Sequence, residues 1–194
     1  PPRSTLFPYT TLFRSLRNVR LDTKPWWKSG QRLLEAENDQ ISLVVCEDDA
    51  PPQAEIPSRL RRSFDEKLAQ PPMVLVTQGF GKAAFCNFSV VFEHSIQSIA
   101  AKQRGDDDLL RFLAAVVTSS FAKYFLFHTA ANWGSERDKV HLTELLRLPF
   151  PLPKDCRDQT AAERIVSAVA KRVREAHTRI AKAPAEARST NPSA

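Results

Sequence analysis

The sequence predicts an α+β fold, in which a small mixed or antiparallel sheet packs on a long apolar helix and an amphipathic heptad helix follows. Three observations predict it. Short β-branched or alternating apolar runs lie in the first half of the chain, an apolar helical stretch covers 109–127, and a heptad pattern covers 160–181. A chain of 194 residues is long enough for one such domain with its own core.

The N-terminal residues are set apart from this domain. Residues 2–15 resemble a translated sequencing adapter, so residues 1–15 are expected to be an artefact and disordered. The alternative is a natural flexible arm with aromatic and basic side chains. Residues 16–40 are mixed and polar, and we expect them to be the N-terminal segment of a truncated parent protein whose gene continues upstream.

Three strands and a short helix are predicted in the first half of the chain. The run Ile41–Cys46 and the run Met73–Val76 are typical of buried strands, and Ala84–Phe92 alternates so that one parity is strongly apolar. Apolar residues spaced by four predict an amphipathic helix over 58–68. That helix carries a basic cluster, Arg59, Arg61 and Arg62.

The acidic turn at 105–108 precedes a long predicted core helix, 109–127. Its carboxylates suit a helix N-terminus and a capping role better than a metal site. A polar loop at 132–139 follows, then a short helix over 142–146 and a proline-rich extended linker at 149–153. We therefore place a target-recognition-like domain at 41–153.

A C-terminal helix is predicted within 154–183, followed by a disordered tail at 184–194. Its apolar positions form a heptad seam, which we define as Ala162, Val166, Val169, Val173, Ala176 and Ile180. The seam predicts packing on the domain's own core or on a partner helix. Its basic flanks suit either contact with a phosphate backbone or a solvated surface.

Composition limits the classes of function. The formal charge of +6 and a pI near 9.5 favour contact with phosphates or other anions. The three scattered cysteines fit a reducing cytoplasm and buried apolar positions, so we expect no zinc or other metal site. No apolar run reaches the roughly 18 residues of a membrane span, so a cytoplasmic protein without membrane contact is predicted.

Four segments carry a resemblance to a known family. They are Pro72–Gly79, Thr118–Tyr124, Ala131–Gly134 and Glu144–Pro151, which lie in about half of the chain. Their order resembles the C-terminal region of adenine-specific DNA methyltransferases of restriction–modification systems, and related layouts occur in type I specificity subunits. In these families the helix commonly carries an Asn-Ser pair, where this chain has Thr118 and Ser119.

The resemblance implies a target-recognition domain that grips double-stranded DNA while a separate domain binds S-adenosylmethionine and methylates a flipped adenine. The chemistry needs an Asp/Asn-Pro-Pro-Tyr/Phe motif, and the nearest match here is Gln70-Pro71-Pro72-Met73. A glycine-rich loop to hold the methyl donor is also missing. We therefore predict no catalytic residues and no cofactor in this chain, which alone is expected to be inactive.

The candidate DNA contacts are cations and one exposed aromatic side chain. They are Trp133, Arg137 and Lys139 in the polar loop, Arg59, Arg61 and Arg62 in the basic cluster, and Lys171 and Arg172 on the C-terminal helix. Two alternatives stay open. One is a protein-interaction module that docks a missing methyltransferase domain or partner subunit through the C-terminal helix. The other is a small hydrolase that uses one of the four histidines.

Overall fold

The computed structural model of this chain describes residues 30–34, 43–50, 52, 66–77, 82–92, 96–100, 105–130 and 140–182. The described part forms five strands and four α-helices, which confirms the α+β prediction. The predictions for 1–15 and 184–194 lie outside these residues. Of the predicted helix at 58–68, only the end is described, as part of a 3-10 helix at Glu66–Ala69.

The central sheet has three antiparallel strands. They are β2 (Met73–Thr77), β3 (Ala83–Cys86) and β5 (Ile96–Ala100), in the order β3-β2-β5. Two short strands, β1 (Leu33–Leu34) and β4 (Val91–Phe92), pair in parallel beside it. The antiparallel central sheet agrees with the predicted mixed or antiparallel sheet, and β5 is a strand that the sequence reasoning missed.

The single strand predicted at 84–92 is wrong. This segment forms two strands, β3 and β4. The ladder between β2 and β3 ends at the pair of Met73 with Cys86, because the prolines before Met73 have no N–H to continue it. The predicted alternation nevertheless holds across the break. One parity lies together in one core cluster: Cys86, Phe88, Val90 and Phe92.

The strand predicted at Ile41–Cys46 is also wrong within its described residues, 43–46. Val44 makes one isolated parallel bridge with Phe85 at the edge of the central sheet, and a 3-10 helix at Glu47–Asp49 follows. The Val45 N–H donates to the Phe85 carbonyl at 3.3 Å. The chain turns away after this contact, so the ladder does not extend.

Both faces of the central sheet are buried. Along β2, Val74 and Val76 point to the helices while Met73 and Leu75 point to the other side, as the period of two requires. Residues of the predicted linker also pack on the helix side of the sheet, including Phe150 at 7% exposure. This packing makes the sheet a rigid support for the helices.

The long helix predicted at 109–127 is two helices. Helix α1 (Asp107–Thr118) and helix α2 (Ser120–Thr129) meet at Ser119 with a bend of 60°. The bend shifts the packed face of α2 to Ala122 and Leu126. It leaves three large aromatic residues of the predicted core helix exposed: Phe121, Tyr124 and Phe127. No described helix alone is long and apolar enough to cross a membrane; α1 and α2 pass that test only as this bent pair.

The C-terminal part contains α3 (Leu142–Leu145), a 3-10 helix at Pro153–Asp155, and α4 (Gln159–Lys182). The predicted helices at 142–146 and 160–181 are confirmed. The Asp158 carboxylate starts α4 by accepting a hydrogen bond from the Ala161 N–H at 2.9 Å. Helix α4 packs along α1 and buries Ala170 and Val173 there.

Candidate nucleic-acid interface

Two of the eight predicted DNA contacts fall on described residues. Lys171 and Arg172 are neighbours on α4, and both are exposed. The other six lie outside the described part of the chain: Arg59, Arg61, Arg62, Trp133, Arg137 and Lys139. The candidate interface is therefore developed from α4.

Helix α4 has a cationic face on the side that points away from its packed side. At about 100° per residue, five exposed cations lie within about 50° of the direction opposite Ala170 and Val173. We define the cationic face as Arg164, Lys171, Arg172, Arg179 and Lys182. All five belong to the basic flanks of the predicted C-terminal helix, and Lys171 and Arg172 are the two predicted as DNA contacts.

The size and sign of this face suit a polyanion. From Arg164 to Lys182 it extends about 27 Å, since a helix rises about 1.5 Å per residue. That length corresponds to about eight base-pair steps of duplex DNA. One carboxylate, Glu175, lies within the face and is exposed. The arrangement offers several cations for phosphate contacts along one helix.

A groove on the opposite side of α4 is lined mainly by negative charges, so it does not suit phosphates. It has a volume of about 490 Å³ and lies between the start of α1, the 3-10 helix at Pro153–Asp155 and the first half of α4. Its charged lining consists of Asp106, Asp108 and Glu163 with one cation, Lys154. Within the described residues, no group of three or more acids, cysteines or histidines is arranged to hold a metal ion.

The acidic turn before α1 differs in detail from the prediction. Asp107 and Asp108 lie in the first turn, where their negative charges interact favourably with the helix dipole, as expected. The predicted capping hydrogen bond is absent, because the Asp106 side chain accepts none from the helix. One oxygen of Asp106, Oδ2, is buried without a hydrogen-bond partner.

Asp108 is instead an ion-pairing residue between two helices. Its Oδ1 lies 3.2 Å from Arg111 Nη1 and 2.5 Å from Arg174 Nη1. Arg174 projects from the side of α4 that faces α1, between the buried side and the cationic face. Nothing in the sequence indicates this pairing, since 66 positions separate the two residues.

Exposed aromatic side chains form a second surface feature, on α2. Phe121, Tyr124 and Phe127 are 53%, 68% and 49% exposed. The His128 ring packs against Tyr124 and Phe127 with centroid distances of 4.4 and 5.0 Å. These neighbours of His128 are aromatic, so they give no support to a hydrolytic role for this histidine.

The described cysteines are free thiols, as expected for residues used in packing. Cys46 and Cys86 are buried, and Cys156 is partly exposed. Burial raises the pKa of the Cys86 thiol to about 12, although a hydrogen bond with the Phe88 backbone acts in the other direction. A thiol this hard to ionise is a poor nucleophile.

A comparison with protein-family models found no match, and a comparison with curated proteins found none either.

Proposed function

We propose that this chain is the DNA-binding, target-recognition part of an S-adenosylmethionine-dependent, adenine-specific DNA methyltransferase of a restriction–modification system. The observation that carries the proposal is the cationic face of α4. Five exposed cations on one side of a helix, with one carboxylate among them, match the charge of a DNA backbone. The motif order between Pro72 and Pro151 points to the methyltransferase context.

The partner in this proposal is double-stranded DNA, and the compartment is the cytoplasm. Backbone contacts from α4 fix the position of the protein on the duplex, while base reading falls to other residues. The loop candidates Trp133, Arg137 and Lys139 are proposed for that role. S-adenosylmethionine and the catalytic Pro-Pro motif belong to a separate domain, so this chain alone transfers no methyl group.

The competing role, docking of the heptad seam on another protein, has less support. The seam residue Val173 is 2% exposed, at the place where α4 packs along α1. The other five seam residues are half-buried, so only part of the seam's apolar area is open to a partner helix.

The test is the binding of the full chain to a duplex of about 25 base pairs, measured by fluorescence anisotropy between 50 and 300 mM salt. If all five cations contact phosphates, these contacts contribute about −4.5 to the slope of log K against log salt. The double variant Lys171→Ala/Arg172→Ala is expected to lower that slope by about 1.8 in magnitude. No binding by the native chain at 50 mM salt would refute the proposal.

A matched control lies on the same face. Glu175→Gln removes a negative charge between the cations, so it is expected to strengthen duplex binding modestly. A weakening by Glu175→Gln would show that charge on this face does not determine the affinity.

A further inference from the structure

The carboxylate of Asp108 joins α4 to the rest of the protein. It receives hydrogen bonds on the same oxygen from Arg111, one turn further along α1, and from Arg174 on α4. The Asp108 and Arg174 side chains are 38% and 47% exposed, so their pair lies at the surface, where salt weakens it. Within the described part of the chain, this is the ion pair that connects α4 to α1.

Arg111 continues the connection to the central sheet. Its guanidinium carbon lies 4.2 Å from the centroid of the Phe85 ring, within the range of a cation–π contact. The Arg111 side chain is 14% exposed, and Phe85 on β3 is 4% exposed. A series of contacts therefore runs from Phe85 through Arg111 and Asp108 to Arg174.

Helix α4 also packs on α1 and on the 3-10 helix at Pro153–Asp155. Of its 24 residues, Ala170 and Val173 are the buried ones, and both have small side chains. The ion pair at Arg174 is placed one residue after Val173, where it adds a directional restraint on the rotation and tilt of the helix to this apolar packing.

We propose that Asp108 is a positioning residue for DNA binding. Through Arg174 it sets the rotation and tilt of α4, so that the cationic face meets several phosphates at once. The inference rests on the proposed function. It makes a distinctive prediction, because a carboxylate near a DNA-binding helix repels DNA by its charge, whereas a positioning carboxylate supports binding. The two effects on affinity have opposite signs.

The test compares two variants of the full chain that remove the same charge. Asp108→Asn is expected to weaken duplex binding by about threefold to tenfold and to reduce the magnitude of the salt slope by about 1 to 2, because α4 loses phosphate contacts and the salt-sensitive pair no longer adds to the slope. Glu175→Gln is expected to strengthen binding without reducing the slope. Asp108→Glu keeps the pair and is expected to bind much as the native chain does.

The outcomes separate the inference from the proposed function. If the native chain binds no duplex, both fail. If the native chain binds but Asp108→Asn behaves like Glu175→Gln, the positioning role is overturned while DNA binding stands. General destabilisation lowers the active fraction in a stoichiometric titration and leaves the slope unchanged, so weaker binding with an unchanged slope also overturns the inference.

A second variant covers the case in which Asp108→Asn does not fold by circular dichroism. Arg174→Gln breaks the same pair from its exposed end. Arg174 itself could contact one phosphate, which contributes about 0.9 to the magnitude of the salt slope. A decrease in that magnitude greater than about 0.9 supports positioning. A loss of about 0.9 or less overturns it.

Discussion

Ser119 holds the junction between α1 and α2, and its replacement by alanine tests how that junction is built. The Ser119 hydroxyl donates to the Val116 carbonyl at 2.6 Å and accepts from the Ala122 N–H at 3.2 Å. It thus ends one helix and caps the next. Loss of a serine N-cap costs about 1 kcal/mol, within a range of roughly 0.5–2 kcal/mol. We expect Ser119→Ala to lower the free energy of unfolding by this amount.

The assay is urea unfolding followed by circular dichroism at 222 nm. A loss of about 1 kcal/mol lowers the midpoint by about 0.5 M urea, or the melting temperature by about 2–4 °C for a chain of this size. The control is Ser120→Ala, one residue further on at an exposed position, which is expected to change the free energy by less than about 0.5 kcal/mol. Equal midpoints for the two variants would refute the capping role of Ser119.

Three further predictions concern stability and reactivity. Arg32→Ala removes hydrogen bonds to two carbonyl groups and an ion pair, so unfolding should become easier by about 1–2 kcal/mol in urea, and Arg32→Lys should not restore it. Leu126→Ala should lower the free energy of unfolding by about 2–5 kcal/mol in the same assay, while Phe121→Ala, at an exposed site, should change it little. Similar losses in the two variants would contradict the orientation of α2. Iodoacetamide at pH 8 should modify Cys156 well before Cys86, as mass spectrometry would show; early labelling of Cys86 would contradict its burial.

The raised pKa of Cys86 also has a consequence for stability at high pH. The folded thiol ionises near pH 12, while its ordinary value is 9.0. The stability of the folded state is therefore unaffected by this group below pH 9. It decreases between pH 9 and pH 12, where the unfolded thiol ionises and the folded thiol does not. The loss from this one group is about 1.4 kcal/mol per pH unit in that window. Cys86→Ala should flatten this part of the stability profile, and an unchanged slope would contradict the assignment.

Local pattern predicted the elements that satisfy their own hydrogen bonds or follow a clear period. The strand at 73–76, the helix at 160–181 and the apolar parity of 86, 88, 90 and 92 all come from spacing alone. The breaks could not be predicted in this way. Ser119 stands in an apolar stretch that a helix of nineteen residues would also satisfy, and its contacts with Val116 and Ala122 at the end of α1 do not show in the apolar spacing.

The candidate interface was predictable only in part, for a related reason. Lys171 and Arg172 were predicted from local charge, and the outward direction of the whole cationic face follows from the side that α4 packs on α1. The partner of Arg174 depends on how two helices far apart in the chain meet. Distance in sequence hides such a pair, whereas the parity of a strand or the stripe of a helix is visible within a few residues.

The way α4 is held affects how its DNA binding should respond to salt. Salt weakens DNA binding directly, because fewer counterions are released when the bulk concentration is high. It also weakens the exposed pair between Asp108 and Arg174, with a screening length of about 8–10 Å at physiological ionic strength. In the native chain the two effects add, so the measured slope overstates the number of phosphate contacts. In Asp108→Asn the second effect is gone, and the remaining slope counts the phosphates that a loosely held α4 still reaches.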